Sequence, residues 1–187
     1  MNILAVDPGR SGAVALFGPH ILEVRRDFET VEDISAAISE FSPQAQVAVI
    51  ELVHAMPGQG VSSMFGFGQA HGIALGTLQS CGFVTAPDPT TLERRLVEVT
   101  PQRWQGFYTQ GGMATGQILE GNKTIFDSVA TCERLLPRSA QFLKRKKDHN
   151  TADAILIALW YQLNPDAPTV VHAKKARKKT RHASPVK

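Results

Sequence analysis

Residues 3–17, ILAVDPGRSGAVALF, decide the fold: two short apolar runs flank a turn built on Asp7, Pro8, Gly9, Ser11 and Gly12. Apolar runs of this length, bounded by turn residues, read as buried strands. Residues 21–26 alternate weakly and complete a three-stranded antiparallel meander. Next, Thr30 followed by Asp33 resembles a helix capping box, with Asp in place of Glu or Gln. Val31, Ile34, Ile38 and Phe41 then recur at helical spacing. VAVIE (47–51) is a continuous apolar run suited to a strand covered on both faces.

Farther along, 62–81 is helical, with Gly68, Gly72 and Gly76 on one face. Glycine at every fourth position costs helix propensity, so close approach by another backbone is the expected compensation. Residues 82–95 read as a loop or short insertion, and LVEV (96–99) as a further strand. Pro101 suits the first turn of a short helix over 101–108. Residues 110–121 are Gly-rich, a helix is predicted over 122–136 up to Pro137, and a last helix from about Asn150 or Thr151 to Leu163. The predicted order is βββαβαβααα. It describes an α/β domain, a central mixed five-stranded sheet with helices on both faces.

Three of these segments deliver carboxylates at element ends. Asp7 ends the first strand, Glu51 ends the 47–51 strand, and Asp148 and Asp153 bracket the start of the last helix in KKDHNTADAILIALW (146–160). Carboxylates at the ends of adjacent strands converge on one sheet edge, and hard oxygen ligands suit Mg²⁺. An Asp closing a strand also serves as an ordinary Asx turn. A Glu behind four apolar residues is costly if buried alone, so it is either solvated or held by a cation. Asp153 shares a helix face with Asn150 and His149. Asp148 lies roughly 140° away on an ideal helix and reaches the same place only if the helix begins after it.

Charge is distributed unevenly. Residues 1–166 carry all 17 acids and 13 Lys/Arg, a net of −4; residues 167–187 carry seven Lys/Arg and no acid. Composition therefore divides the chain into a domain, 1–166, and a basic tail, 167–187, expected to be disordered. A detached basic arm attracts a polyanion by counterion release. Lys174, Lys175, Arg177, Lys178 and Lys179 of the tail, and Lys144, Arg145, Lys146 and Lys147 beside the last acids, are the candidate nucleic-acid contacts. The uncharged run from Leu52 to Pro87 contains glycines, histidines and serines and is not a membrane span; an N-terminus that opens directly on a strand leaves no leader. Cys81 and Cys132 have neither metal-ligand spacing nor a disulfide framework, so a reduced, cytoplasmic setting is expected.

DPGRSGAVAL, AVIELVHAMPGQGVSSMFGFGQAHGIALG, VTPQRW and KKDHNTADAILIAL together resemble the RuvC-type Holliday junction resolvases. AMPGQG, MFGFG and KKDH are most similar to the phage-type branch, which implies a bacterial cytosol and allows a phage-encoded origin. The resemblance spans about residues 2–163 and omits the tail. It implies an RNase H-like fold, a homodimer, and hydrolysis of four-way DNA junctions by two Mg²⁺ ions, for which Mn²⁺ substitutes. Symmetric nicks follow from that. By position, Asp7, Glu51 and Asp153 correspond to metal ligands. Where cellular resolvases place an acid or His three residues before the last Asp, this chain has Asn150. Asp148 is the expected substitute, with His149 the alternative as ligand or general base. The resemblance also places Lys123 near the scissile phosphate and the 62–81 helix at the dimer contact. His54 falls where a junction-probing aromatic is expected, so Phe65 or Met56 becomes the candidate wedge.

Three other readings compete. The substrate class extends to flaps and other branched DNA. Strand–DxG–strand also opens ATP-binding proteins of the actin type, but these need two lobes and 187 residues supply one. Asn150 alone supports a non-catalytic DNA-binding module.

Overall fold

A computed structural model describes residues 1–9, 11–52, 60–87, 90, 92–114, 117–120 and 123–169, side chains at 117–120, 123–125 and 146 excepted. Strands β1 (Ile3–Asp7), β2 (Ala13–Phe17) and β3 (Leu22–Arg26) form the meander. Helix α1 (Glu32–Phe41) leads to β4 (Val47–Glu51), and α2 (Val61–Ser80) to β5 (Phe83–Val84) and β6 (Arg94–Val99). Then come α3 (Pro101–Gln110), the hairpin β7 (Gln117–Glu120) and β8 (Lys123–Phe126), α4 (Ser128–Leu135) and α5 (His149–Leu163). The main sheet has the order β3-β2-β1-β4-β6-β5, with β1–β4, β4–β6 and β5–β6 parallel.

Side-chain alternation sorts the core into two layers. Leu4, Val6, Val14, Leu16, Ala48, Ile50 and Leu96 meet α1 and α2 on one face. Ile3, Ala5, Ala13, Ala15, Val47, Val49, Val97 and Val99 meet α3, α4 and α5 on the other. Helix α5 is apolar nearly all round because it lies deep, with Ile155, Leu156 and Ile157 fully buried. Each such side chain contributes about 1.5–3 kcal/mol on burial. The start of α1 follows its sequence signal: the Asp33 carboxylate accepts from the backbone N–H groups of Thr30 (2.8 Å) and Glu29 (2.9 Å).

The structure differs from expectation in four places. The sheet has six strands rather than five, because Phe83 and Val84 add an edge strand too short to show alternation. The helix predicted over 122–136 begins only at Ser128; KTIF (123–126) is β-branched and aromatic and pairs with 117–120 instead. Asp127 caps the helix, its Oδ1 accepting from Ala130 N at 2.9 Å. The last helix starts one residue early, at His149. Residues 164–169, partly assigned to the tail by composition, lie against β6. Among the described residues no helix is long and apolar enough to cross a membrane.

Candidate active site

On β1, Ile3 and Ala5 face α5, and on the adjacent parallel strand β4 so do Val47 and Val49. Asp7 and Glu51 are the next members of those two alternations. The register runs from Ile3–Val47 to Val6–Ile50, so the two carboxylates stand one step past the last pair, where the strands end. Gly12 lets the turn after β1 close tightly, since a Cβ there would collide with the Asp7 carbonyl. Asp153, in the first turns of α5, completes the group from the helix side.

The three carboxyls feel one another. Burial pushes the Asp7 carboxyl well above its ordinary range, and the charges of Glu51 and Asp153 push it further. Burial raises Asp153 to about 7, against a Ser128 hydrogen bond that lowers it, with Glu51 adding to the rise. Glu51 is raised by burial and partly relieved by Trp104, whose indole N–H donates to its Oε1 at 2.8 Å. The Asp153 Oδ1 is buried and has no hydrogen-bond partner among the described residues. Among the described residues, no three His, Cys, Asp or Glu side chains form a ready metal cage. Like charges repel, and a divalent cation would offset that repulsion. Buried, mutually raised carboxylates with an unpartnered oxygen fit a hard cation.

Asp148 does not join them. Its side chain is fully buried and its Oδ1 lies 2.9 Å from an Arg26 nitrogen and 2.7 Å from Arg145. Its Oδ2 accepts from the Arg145 backbone N–H at 2.8 Å. Burial alone would raise its pKa, but the Arg145 hydrogen bonds and the charges of Arg26 and Arg145 hold it below the ordinary value. The carboxylate expected to be the fourth ligand is instead committed to a clamp between the end of β3 and the start of α5. Asn150 is also engaged, its Nδ2 donating to the Ser11 carbonyl at 2.7 Å. His149 is exposed at the first position of α5.

The remaining candidates are scattered. Lys123 opens strand β8, not a helix. Of the KRKK run, Arg145 and Lys147 both reach Asp27 (2.7 and 2.9 Å), and Lys144 is exposed. Phe65, 74% exposed, lines a groove of about 510 Å³ with Phe67, Ser62, Ser63, Gly9 and Ser11, beside the turn that follows Asp7. Met56, His54 and residues 170–187 lie outside the described residues. Three contributors were not found from the sequence. Trp104 is fully buried, and its N–H serves Glu51. Ser128 was hidden inside a mistaken helix, and Arg26 gave no signal beyond closing a strand.

Three solved structures share this arrangement of strands and helices. Thermus thermophilus RuvC in complex with a Holliday junction substrate is 16% identical, with a TM-score of 0.54 over 91% of this chain and 99% of that one. A second structure of T. thermophilus RuvC gives 18%, 0.53, 91% and 100%. The yeast mitochondrial Holliday junction resolvase Ydc2 gives 14%, 0.51, 85% and 76%. The fold is RuvC-like. No protein-family model and no curated protein matches the sequence. In this RuvC-like frame, of the RNase H-like kind, Asp7, Glu51 and Asp153 occupy the carboxyl end of the central parallel strands. That edge is where open α/β sheets bind ligands.

Proposed function

We propose that the protein is a metal-dependent, structure-selective DNA endonuclease that resolves four-way junctions. The observation that carries this is the pooling of Asp7, Glu51 and Asp153 at one edge of a RuvC-like sheet, all three raised in pKa by burial and Asp7 and Asp153 raised further by neighbouring carboxylate charge. Asp7, Glu51 and Asp153 would hold two Mg²⁺ ions, or Mn²⁺ in their place, with exposed His149 the residue available to complete the set. When bound, such ions activate water and offset the charge on a phosphodiester. Trp104 fixes the orientation of Glu51 and Ser128 that of Asp153. The Phe65 groove beside the Asp7 turn is wide enough to take unpaired nucleotides next to the site.

Paired symmetric nicks require two sites, and α2 offers a surface for a second copy. Val61, Phe65, Gly68, Gly72 and Gly76 lie on its outward side, and among the described residues nothing approaches within 4 Å of a Cβ built on any of the three glycines. The test is cleavage of an immobile four-way junction, flaps and duplex by one preparation, with and without Mg²⁺, mapping both incisions. Paired cuts in the junction alone, absent in chelator and in Asp7→Asn, are the expected result. Cutting by Asp7→Asn, or cutting that ignores the metal, would contradict the assignment.

A further inference from the structure

Asn150 stands one turn before Asp153 on α5, and residues three apart on a helix share a face. A carboxylate at this position could only accept hydrogen bonds or bind a cation, whereas an amide can also donate. Asn150 does donate. Its Nδ2 reaches the Ser11 carbonyl at 2.7 Å, across 139 residues of sequence. A carbonyl only accepts, so this contact decides which end of the amide faces Ser11. Ser11 belongs to the turn that joins β1 to β2. Within that turn the Gly12 N–H donates to the Gly9 carbonyl at 3.0 Å, and a Cβ on Gly12 would collide with the Asp7 carbonyl. The turn is therefore folded directly onto the backbone of Asp7. From α2, the Phe67 ring comes within 3.6 Å of a Cβ built on Gly9, and both Gly9 and Ser11 line the Phe65 groove. One short turn thus touches the groove, the first carboxylate and, through Asn150, the helix of the last one.

We propose that Asn150 is a positioning residue for cleavage rather than a metal ligand: it latches the β1–β2 turn to the helix that carries Asp153. This rests on the nuclease reading above. Asp7 enters the site from a strand and Asp153 from a helix, and no hydrogen-bond ladder joins those two kinds of element. Apolar packing sets how deeply α5 lies on β1 and β2, but it is non-directional. The Asn150 bond is directional, so it fixes the start of the helix against the turn. Because the same turn lines the Phe65 groove, the latch also holds the groove in register with the carboxylates. The residue type follows from this role. A carboxylate at 150 would face the Ser11 carbonyl with no proton to give, and would add a fourth negative charge beside Asp7, Glu51 and Asp153. The amide that favoured a non-catalytic module becomes part of a working site.

The experiment uses the full chain and compares Asn150→Ala with Asn150→Asp. Alanine removes donor and oxygen together; aspartate removes the donor and keeps an oxygen able to bind a cation. Asn150 is half-buried, so neither change empties the core. In the metal-free protein, hydrogen exchange at the Gly12 amide should quicken about five- to tenfold in both variants, the worth of one hydrogen bond. Cutting of an immobile four-way junction by saturating protein in Mg²⁺ should slow about 10- to 100-fold in both. Junction affinity in chelator should stay within about threefold of the wild type, because the groove and its aromatics remain. Unmoved Gly12 exchange in Asn150→Ala overturns the latch. Cutting by Asn150→Asp at the wild-type rate overturns the proposal as well, since an oxygen would then suffice and the residue would be a ligand. A loss carried wholly by weaker junction binding would make Asn150 a DNA contact, again overturning it. A wild-type protein that does not cut junctions with Mg²⁺ removes the nuclease reading and the positioning role with it, whatever Gly12 exchange shows.

Discussion

The buried carboxylate of Asp148 lies 2.9 Å from the Arg26 guanidinium, which joins the end of β3 to the turn that starts α5. Arg145 completes the clamp and also reaches Asp27, which sits in the left-handed region at φ 58°. Asp153 rides on the helix so positioned. The clamp acts on the site through the placement of α5 rather than by contact.

Removing one member of a buried pair costs about 3–5 kcal/mol, less here because Arg26 and Arg145 remain partly solvated. Asp148→Ala should therefore cost about 2 kcal/mol and lower Tm by about 4–8 °C. The folded-state pKa of Asp148 is depressed, and that of Asp27 falls to about 2 as its Arg145 and Lys147 hydrogen bonds outweigh desolvation. Their stabilisation is in place above the unfolded-state value near 4 and is lost as pH falls through the folded values. Thermal melts from neutral pH downward should show an acid-side loss that is blunted in Asp148→Ala. Calorimetric Mg²⁺ titration decides the rest: metal binding that survives the substitution supports the clamp, and its complete loss in a folded protein would restore Asp148 as a ligand.

Much of this architecture was legible in local sequence. The continuous apolar runs ILAVD and VAVIE gave the central strands, and the acids that end them gave a common sheet edge; their shared face follows from residue parity in the paired strands. Asp153 was legible as an acid near the start of an apolar helix. What failed was short or distant. Two-residue β5 has no period, and KTIF was absorbed into the helix that follows it. A helical wheel shows that Asp148 sits off the Asp153 face, but it cannot show that Arg26 returns from the far side of the chain to claim it. Trp104 illustrates the same gap, since an aromatic within a short helix carries no sign of where its N–H points.

Glu51 should be sensitive to that N–H. Trp104→Phe keeps an aromatic body against Tyr108 and Phe126 and removes only the donor. The hydrogen bond lowers the Glu51 pKa, so its loss should raise that pKa further. Stability should fall by about 1 kcal/mol. The acid limb of the pH–rate profile should move to higher pH, with cleavage on that limb reduced about tenfold for a shift of one unit. A variant with an unmoved pH profile would show the contact to be packing alone.

In the metal-free protein the carboxylate group is a source of instability. Asp7, Glu51 and Asp153 all have folded-state pKa values above the ordinary range. Between about pH 4 and 7 the unfolded chain therefore binds fewer protons than the folded one, and stability falls as pH rises. Asp153→Asn removes one charge from the group and should raise the metal-free Tm at pH 7 by about 3–6 °C, flattening the decline with pH. Mg²⁺ should raise the wild-type Tm and leave Asp7→Asn nearly unmoved. A wild-type protein equally stable from pH 5 to 7 in chelator would count against the coupling.

The outward side of α2 tests the dimer independently of cutting. Val61 is 80% exposed and Phe65 74%, while Ala70, Ala74 and Leu78 hold the opposite side to the core. Glycine in an exposed helix interior costs about 1 kcal/mol relative to alanine, yet three recur here at four-residue spacing. With nothing among the described residues within 4 Å of a Cβ there, Gly72→Ala should stabilise the monomer by about that amount. If a second copy packs there, a bulky side chain has the opposite consequence. Gly72→Leu should leave the monomer folded but weaken self-association at least about tenfold, the effect of some 1.4 kcal/mol of lost close contact. Sedimentation equilibrium over a concentration series reads this directly, and junction cutting by Gly72→Leu should change from paired to single incisions. A Gly72→Leu protein that associates like the wild type would move the interface to another surface.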